Sequence, residues 1–157
     1  MQPKITLSNS RPFEETTDAL VLFVPEKGAF DAFTSVNSRA KNALSKLIQE
    51  EHFKAKVGEC ILFHSPGMAS RRIILAGVGK KEECTPETIR RAASSAANVA
   101  RNASCSRISY TLLSGVGFKT DQAIEAIVSG ALLGTYRFLK FKTREEDQEQ
   151  DKKIENI

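Results

Sequence analysis

Three uninterrupted apolar runs predict the central strands of the chain. Residues 18–24 read Asp-Ala-Leu-Val-Leu-Phe-Val and stop at Pro25. Because side chains alternate between the two faces of a strand, a run that is apolar at successive positions predicts a strand covered on both faces. The runs at residues 60–63 and 73–76 have the same character, so we predict strands there too.

Two further segments alternate between apolar and polar residues. Ile5 and Leu7 show this pattern near the start of the chain, and Ile108, Tyr110 and Leu112 repeat it later. A period of two predicts a strand with one apolar face. We therefore expect a short half-buried strand around Ile5 and a strand nearer a sheet edge after residue 107.

Between the strands, the apolar period changes to that of a helix. Apolar positions spaced i, i+3, i+4, i+7 and i+8 predict one amphipathic helix, with lysine and acidic residues on its other side. These apolar positions are Ala40, Ala43, Leu44, Leu47 and Ile48.

The next helix has a clear start signal. The hydroxyl of Thr85 can accept a free first-turn N–H, Pro86 suits a position where no N–H is needed, and Glu87 complements the positive helix end. An apolar stripe rich in alanine follows, and we expect it to let the helix approach a sheet closely. The stripe consists of Ile89, Ala92, Ala93, Ala96, Ala97 and Ala100.

A third helix is predicted from Thr120 and Asp121, with a wide apolar face that should be well buried. That face consists of Ala123, Ile124, Ile127, Val128, Ala131, Leu132 and Leu133. Strands and helices are thus interleaved, which predicts an α/β domain with three αβα layers: a mixed sheet flanked by helices on both faces. An α+β arrangement is the alternative.

The last part of the chain differs in composition. Residues 142–153 contain no large apolar side chain and are mostly charged. Such a segment cannot bury enough surface to offset the entropy of ordering it. We therefore predict that the folded domain covers residues 1–143, and that residues 144–157 begin a linker that is mobile or forms a solvated helical extension.

Overall composition is that of an ordinary globular domain. The 157 residues are 41% hydrophobic and 27% charged, with no apolar run near the roughly 18 residues of a membrane span and no signal-peptide core. We therefore expect a cytoplasmic location. The net charge is +4, but basic residues are scattered among acids. Nucleic acid is an unlikely partner, and any binding to it is expected to be weak and salt-sensitive.

Histidines and cysteines provide no evident metal site. His52 and His64 are twelve residues apart, which is not a zinc-ligand spacing. Cys60 and His64 share a face of one predicted strand, so a nucleophile–base pair is conceivable, but adjacent core residues are the simpler interpretation. Cys60, Cys84 and Cys105 are odd in number and widely spaced, which favours reduced structural thiols.

Two glycine pairs follow predicted strands, where phosphate-binding turns begin. Gly77-Val-Gly79 lacks the third glycine of a dinucleotide fingerprint, because residue 82 is Glu82. Gly115-Val-Gly117 is a second pair of the same kind. A lone pair of this kind is weak evidence for a phosphate site, so we interpret both as structural turns.

Three pairs of adjacent acids complete the candidate chemistry. Adjacent side chains on a helix or strand do not converge on one site, so we interpret these pairs as surface charge. They are Glu14-Glu15, Glu50-Glu51 and Glu82-Glu83. The residues taken alone therefore predict no catalytic, cofactor-binding or metal-binding site.

Several segments in order resemble the N-terminal domain of the leucyl (cytosol) aminopeptidase family. The most diagnostic is Gly-Ala-Leu-Leu-Gly-Thr-Tyr-Arg-Phe at residues 130–138, followed by Lys-Phe-Lys-Thr at 140–143. Before it come Ile-Ile-Leu-Ala-Gly-Val-Gly-Lys at 73–80 and the Arg-Arg-Ala-Ala helix that starts at Thr85. The resemblance runs from about residue 4 to residue 143.

Two shorter matches and one departure complete the resemblance. Lys-Val-Gly-Glu at residues 56–59 resembles the family's turn before a strand, and Asp-Ala-Leu-Val at 18–21 resembles its first core strand. Leu139 stands where family members often have aspartate. The signature of the family's catalytic half, Asn-Thr-Asp-Ala-Glu-Gly-Arg-Leu, is absent from the sequence.

The resemblance implies a macro-domain-like fold and a structural role. In this family the N-terminal domain precedes a larger C-terminal domain, which binds two divalent metals, zinc or manganese, and releases N-terminal amino acids from peptides. The implied partners of this chain are its own catalytic domain and further copies in a hexamer. The alternatives are a nucleotide- or ADP-ribose-binding module, suggested by the macro-like fold, and a nucleic-acid-binding accessory domain.

Overall fold

A computed structural model describes residues 3–136 and 154–157. Within them, strands and helices alternate as expected for an α/β domain. Their order is β1 (Ala19–Val24), α1 (Asp31–Arg39), α2 (Ala43–Glu50), β2 (Cys60–His64), β3 (Arg72–Gly77), α3 (Pro86–Asn102), β4 (Ile108–Tyr110) and α4 (Thr120–Thr135).

The four strands form one mixed sheet in the order β2-β3-β1-β4. Strand β1 is parallel to both of its neighbours: Ala19 pairs with Arg72 on β3 and with Ile108 on β4. Strand β2 is antiparallel to β3 and lies at the outer side of the sheet. The prediction of a mixed sheet in an α/β fold is therefore confirmed.

Helices cover both faces of this sheet, because β1 and β3 are apolar on both sides. Successive residues of β1 enter two different cores, one under α3 and α4 and the other under α1 and α2. All six residues of β1 are buried. Those on the first side are Ala19, Val21 and Phe23, and those on the second are Leu20, Leu22 and Val24.

The carboxylate of Asp18 fixes the start of β1 against β4. Its Oδ2 accepts the backbone N–H groups of Ser106 and Arg107, both at 2.9 Å. Burial by itself would raise the pKa of Asp18, but these hydrogen bonds and the charges of Arg107 and Arg71 outweigh it, so the pKa lies below its ordinary value.

Beyond β4, the sheet continues through two short backbone pairings. Asn156 bridges Arg107 on one side and Lys4 on the other, both in the parallel sense. Ile154 is only 7% exposed and belongs to the core under α3 and α4. For residues 154–157, the expectation of a solvated linker is therefore wrong. The side chain of Ile154 is buried in the core, and the backbone of residues 155–157 forms hydrogen bonds beside β4. Residues 144–153 lie outside the described part of the chain.

The predicted edge strands differ from the structure in detail. Around Ile5, hydrogen bonds join Lys4 and Thr6 to residues 155–157, but Ile5 is 43% exposed and is not part of an extended strand. Strand β4 ends at Tyr110, and Leu112 lies outside it, 47% exposed. Strand β2 is half-buried, and among the described strands its one neighbour is β3.

The helix predicted from Ala40 to Ile48 is present as α2 from Ala43 onward, but Ala40 lies outside it, at the end of a separate helix, α1, that the pattern did not predict. Helix α1 ends at Arg39, and Asn42, with φ of 62°, breaks the chain before α2 begins. The amide oxygen of Asn37 accepts the N–H groups of Leu44 and Ser45, so a buried side chain from α1 satisfies the start of α2. The apolar period continued across this break, and the sequence pattern did not reveal it.

Helix α3 begins as predicted. Thr85 accepts the N–H of Thr88, and Thr88 accepts the N–H of Thr85 in return, which satisfies two donors that a helix start leaves free. The whole predicted apolar stripe of α3 is buried.

Glycines bring α4 into close contact with α3. A Cβ built on Gly130 would lie 2.2 Å from the carbonyl oxygen of Arg90, and one built on Gly134 would lie 2.3 Å from that of Ser94. The alanine stripe of α3 therefore supports a helix as well as a sheet. The expectation that the apolar face of α4 is well buried is wrong for Leu133, which is 62% exposed.

We predict that Gly130→Ala lowers the free energy of unfolding by about 1–3 kcal/mol, because the added methyl overlaps the backbone of α3. In a helix without this contact, alanine would stabilise relative to glycine by about 1 kcal/mol. Urea denaturation followed by circular dichroism measures the change. Gly117→Ala is the matched control, because nothing lies within 4 Å of its Cβ position. Equal midpoints for the two variants would contradict the close packing.

Candidate functional site

The connections of β1 and β4 create a crevice at their carboxyl ends. The chain leaves β1 toward α1 on one face of the sheet, and leaves β4 toward α4 on the other. In α/β sheets, ligands bind at such points, where adjacent connections run to opposite faces. This crevice and the surface next to it are therefore the first place to look for a site.

Contacts between three loops hold this end of the sheet together. The Nζ of Lys81 lies 5.2 Å from the centroid of the Phe30 ring, a distance at which a cation is attracted to an aromatic face. The Oγ of Ser114 donates to the carboxylate of Asp31 at 3.1 Å. The loops after β1, β3 and β4 are thus joined by polar side chains.

A cavity of about 660 Å³ lies beside this crevice, on the α1 side of the sheet. We call it the β4 cavity, because β4 forms one wall. The opposite wall is the segment at residues 6–17, and Leu20 of β1 also lines it. Its volume is within the range of small-molecule sites. The described lining residues are Thr6–Ser10, Pro12, Glu15–Thr17, Leu20, Ala32, Arg107–Leu112, Asn156 and Ile157.

Three polar residues in this wall form a hydrogen-bonded group. Glu15 accepts from the hydroxyls of Ser8 and Ser10, and the two serine oxygens are 2.6 Å apart. The backbone oxygen of Glu15 accepts from Ser70 at 2.8 Å, which ties this segment to the rest of the domain. The prediction of surface charge at Glu15 does not include this hydrogen-bonded group. Ser8, Ser10 and Glu15 lie in irregular backbone, which gives no periodic signal in the sequence.

The turn at Gly77 and Gly79 is structural, as predicted. A Cβ on Gly77 would lie 2.3 Å from the backbone oxygen of Lys56. The N–H groups of Gly77 and Gly79 donate to Glu59 and Ala55 respectively. Because these donors are already used within the protein, they are not presented to a phosphate. Gly115, in the other pair, has φ of 69° and lies beside Lys81 in the loop between β4 and α4.

The histidines do not meet each other or a cysteine. His52 is exposed, and His64 lies at the opposite end of β2 from Cys60. Four residues along a strand span about 13 Å, so these two side chains share a face but are too far apart for proton transfer. Within residues 3–136 and 154–157, no group of three or more His, Cys, Asp or Glu side chains could hold a metal.

The environments of the three cysteines favour the protonated thiol, because each raises the pKa of its thiol. Burial, followed by the charge of Glu59, raises the pKa of Cys60 to about 12. Burial also raises the pKa of Cys84 and of Cys105, against smaller opposing effects. Since the thiolate is the nucleophile, this environment matches the prediction of structural cysteines.

Two of the acid pairs contribute surface ion pairs. Glu50 is 3.7 Å from Lys46, and Glu83 is 3.3 Å from Lys80. All four side chains are more than half exposed. Exposed pairs of this kind contribute little to stability, which fits their interpretation as surface charge.

Helices in the described residues include none that is both long and apolar enough to cross a membrane.

The chain is similar to known proteins over most of its length. Residues 20–145 match a sequence model described as the cytosol aminopeptidase family, N-terminal domain. A probable cytosol aminopeptidase of Geobacter sp. is 31% identical over 148 residues, which is 92% of this chain and 29% of that protein.

A second curated relative comes from a plant. The neutral chloroplastic leucine aminopeptidase of Solanum lycopersicum is 32% identical over 111 residues, 69% of this chain and 19% of that protein. The chain thus spans less than a third of the length of either relative.

Solved structures resemble the fold of this chain in two groups. A tomato leucine aminopeptidase mutant has a TM-score of 0.76 at 22% identity, over 92% of this chain and 31% of that one. The macrodomain of Mycobacterium tuberculosis DarG has a TM-score of 0.69 at 15% identity, over 82% of this chain and 90% of that one. The macro-like fold is therefore shown.

We predict that Cys60 reacts with iodoacetamide at neutral pH far more slowly than an exposed cysteine. Raising the pKa from 9.0 to about 12 lowers the thiolate fraction about a thousandfold. Mass spectrometry of the folded and urea-unfolded protein, alkylated for equal times, measures the difference. Rapid labelling of Cys60 in the folded protein would mean that it is an activated nucleophile.

Proposed function

Because this chain belongs to the cytosol aminopeptidase family, we propose that it serves as the non-catalytic N-terminal domain of such an enzyme. The parent enzyme would be a metallo-exopeptidase that releases N-terminal amino acids from peptides in the cytoplasm. Its two divalent metals, zinc or manganese, would belong to a separate C-terminal domain. This domain would dock on that catalytic half and support a hexameric assembly.

The family match at residues 20–145 is the observation that carries this proposal. The Geobacter relative is more than three times as long as the matched segment, since this segment is 29% of it. The remaining length of such a relative would supply the catalytic half. A role in docking and assembly is then the natural one for the domain that this chain forms.

A pair of exposed apolar side chains marks the proposed docking surface. At the end of α4, Leu133 is 62% exposed and Tyr136 is 70% exposed. The glycines of α4 face α3, so the helix has one side fixed in the domain and another turned to solvent. Burying a leucine or aromatic side chain fully is worth about 1.5–3 kcal/mol. We call these two residues the α4 end patch.

A chimera tests the docking role. In it, this chain replaces the corresponding N-terminal part of the Geobacter sp. relative, and light scattering measures the assembly. We expect the chimera to form the same oligomer as the relative, and Leu133→Asp to weaken the assembly or lower its thermal stability. Ile5→Asp is the matched control, because Ile5 is 43% exposed, lies outside α4 and does not line the β4 cavity. Equal effects of the two substitutions would remove the α4 end patch from the proposal.

Nucleotide or ADP-ribose binding is the second candidate, and the β4 cavity is the observation that favours it. Among its described lining residues, however, Arg107 is the one basic side chain, and a diphosphate is recognised best by several cations or free N–H groups. Calorimetry with ADP-ribose separates the two candidates. Saturable binding of ADP-ribose by the isolated chain would favour the second.

We predict that the isolated chain does not hydrolyse leucine p-nitroanilide, with either zinc or manganese added. Two-metal hydrolysis needs both ions clamped about 3.5–4 Å apart, to activate water and polarise the carbonyl. In the described residues, acid pairs such as Glu50-Glu51 and Glu82-Glu83 lie on the surface. Turnover that persists through further purification and disappears with a chelator would contradict the non-catalytic role.

A further inference from the structure

Among the residues that the structure describes, irregular chain and not an α-helix lines the side of the β4 cavity opposite β4. Helices α1 and α2 cover β1, β2 and β3 on this side of the sheet. Beside β4 and residues 156–157, the covering material is instead the irregular segment at residues 6–17. Between this segment and β4 lies the cavity of about 660 Å³.

A carboxylate is held in place at one side of this cavity. The hydroxyls of Ser8 and Ser10 donate to Glu15, and Ser70 holds the backbone of Glu15 from the side of β3. All three of Ser8, Ser10 and Glu15 line the cavity. A carboxylate whose position is fixed by its neighbours is a good acceptor for an ammonium group, since little ordering entropy is lost when a partner binds.

A guanidinium belongs to the β4 wall. The backbone of Arg107 is fixed, because its N–H donates to Asp18 and its carbonyl oxygen accepts from Thr17, Asp18 and Ala19. Its side chain is in an exposed residue that lines the cavity, so it can reach a ligand. Arginine is the side chain best suited to pair with a carboxylate, through two parallel hydrogen bonds.

Leucines supply the apolar part of the lining. Leu20 of β1 is 2% exposed and lines the interior, whereas Leu7 and Leu112 are 73% and 47% exposed. Large apolar side chains left in solvent around a concave site are a mark of ligand or partner binding. Because all three leucines line the same cavity, they can contact the apolar part of a ligand bound there.

We propose that the β4 cavity binds short peptides that have apolar side chains and free termini. The ammonium of the peptide pairs with Glu15, its carboxylate pairs with Arg107, and its side chains pack against the leucines. The volume admits a ligand of this size. The choice of a peptide among zwitterionic ligands rests on the proposed membership in an aminopeptidase, for which this cavity would be a second place to hold substrate or product.

Calorimetry of the 157-residue chain with three synthetic peptides tests the proposal. The probes are trileucine with free termini, N-acetyl-trileucine and trileucine amide. We expect saturable binding of free trileucine, weakened about five- to tenfold by blocking either end, since one charge-assisted hydrogen bond in a partly open site is worth roughly that factor. Equal affinity for all three peptides, or no saturable binding of any, would overturn the proposal.

Substitutions connect each charge to its partner. Acetylation removes the peptide ammonium that pairs with Glu15, so it should no longer weaken binding to Glu15→Gln. Amidation removes the peptide carboxylate that pairs with Arg107, so it should no longer weaken binding to Arg107→Gln. Glu14→Gln and Arg11→Gln are the matched controls, because these neighbours are exposed and do not line the cavity. They should preserve both differences, whereas a control that abolishes them would contradict the assignment. Thermal unfolding establishes that each variant is folded.

The outcome is independent of the docking experiment. Calorimetry uses the isolated chain, whereas the chimera reports on assembly through the α4 end patch. Loss of peptide binding therefore leaves the docking result unchanged. If ADP-ribose binds saturably and trileucine does not, the cavity belongs to a nucleotide site and the peptide proposal is wrong.

Discussion

The double-sided burial of β1 is the constraint on which the rest of the structure depends. Its six residues are apolar, and side chains on a strand alternate between faces. Both faces must therefore be covered, which requires helices on two sides and strands at both edges of β1. The resulting parallel pairing with β3 and β4 needs long crossover connections, and α3 provides one of them. The Asp18 carboxylate, bonded to Ser106 and Arg107, fixes the point where the central strand begins.

Close packing on one side of the sheet contrasts with loose packing on the other. The alanines of α3 and the glycines of α4 bring these two helices so close that a single added methyl would overlap the backbone. On the opposite side, α1 and α2 are short and leave β4 to be covered by residues 6–17. The domain therefore has one closely packed face, which carries the α4 end patch that we propose for docking, and one open face that contains the β4 cavity. The two proposed roles thus lie on different faces of the sheet.

Family membership and site chemistry give different kinds of information. The stretch Gly-Ala-Leu-Leu-Gly lies within the segment that matches the family, and its two glycines allow the close contact between α3 and α4. They carry no chemistry themselves. The polar group around Glu15 belongs to no motif, because its members are held by contacts with residues far away in sequence, such as Ser70. Its function must therefore be argued from geometry.

The sequence by itself determined the elements whose signals are local. The core strands follow from continuous apolar runs, and α3 follows from the Thr85 cap, Pro86 and the alanine stripe, all of which act within a few residues. Only the tertiary structure decided the break at Asn42, where a side chain from α1 caps α2, and the return of residues 154–157 to the sheet. It also decided the β4 cavity, whose walls come from distant segments. Periodicity reports on a residue's own element, whereas these features depend on partners that the chain brings together only when it folds.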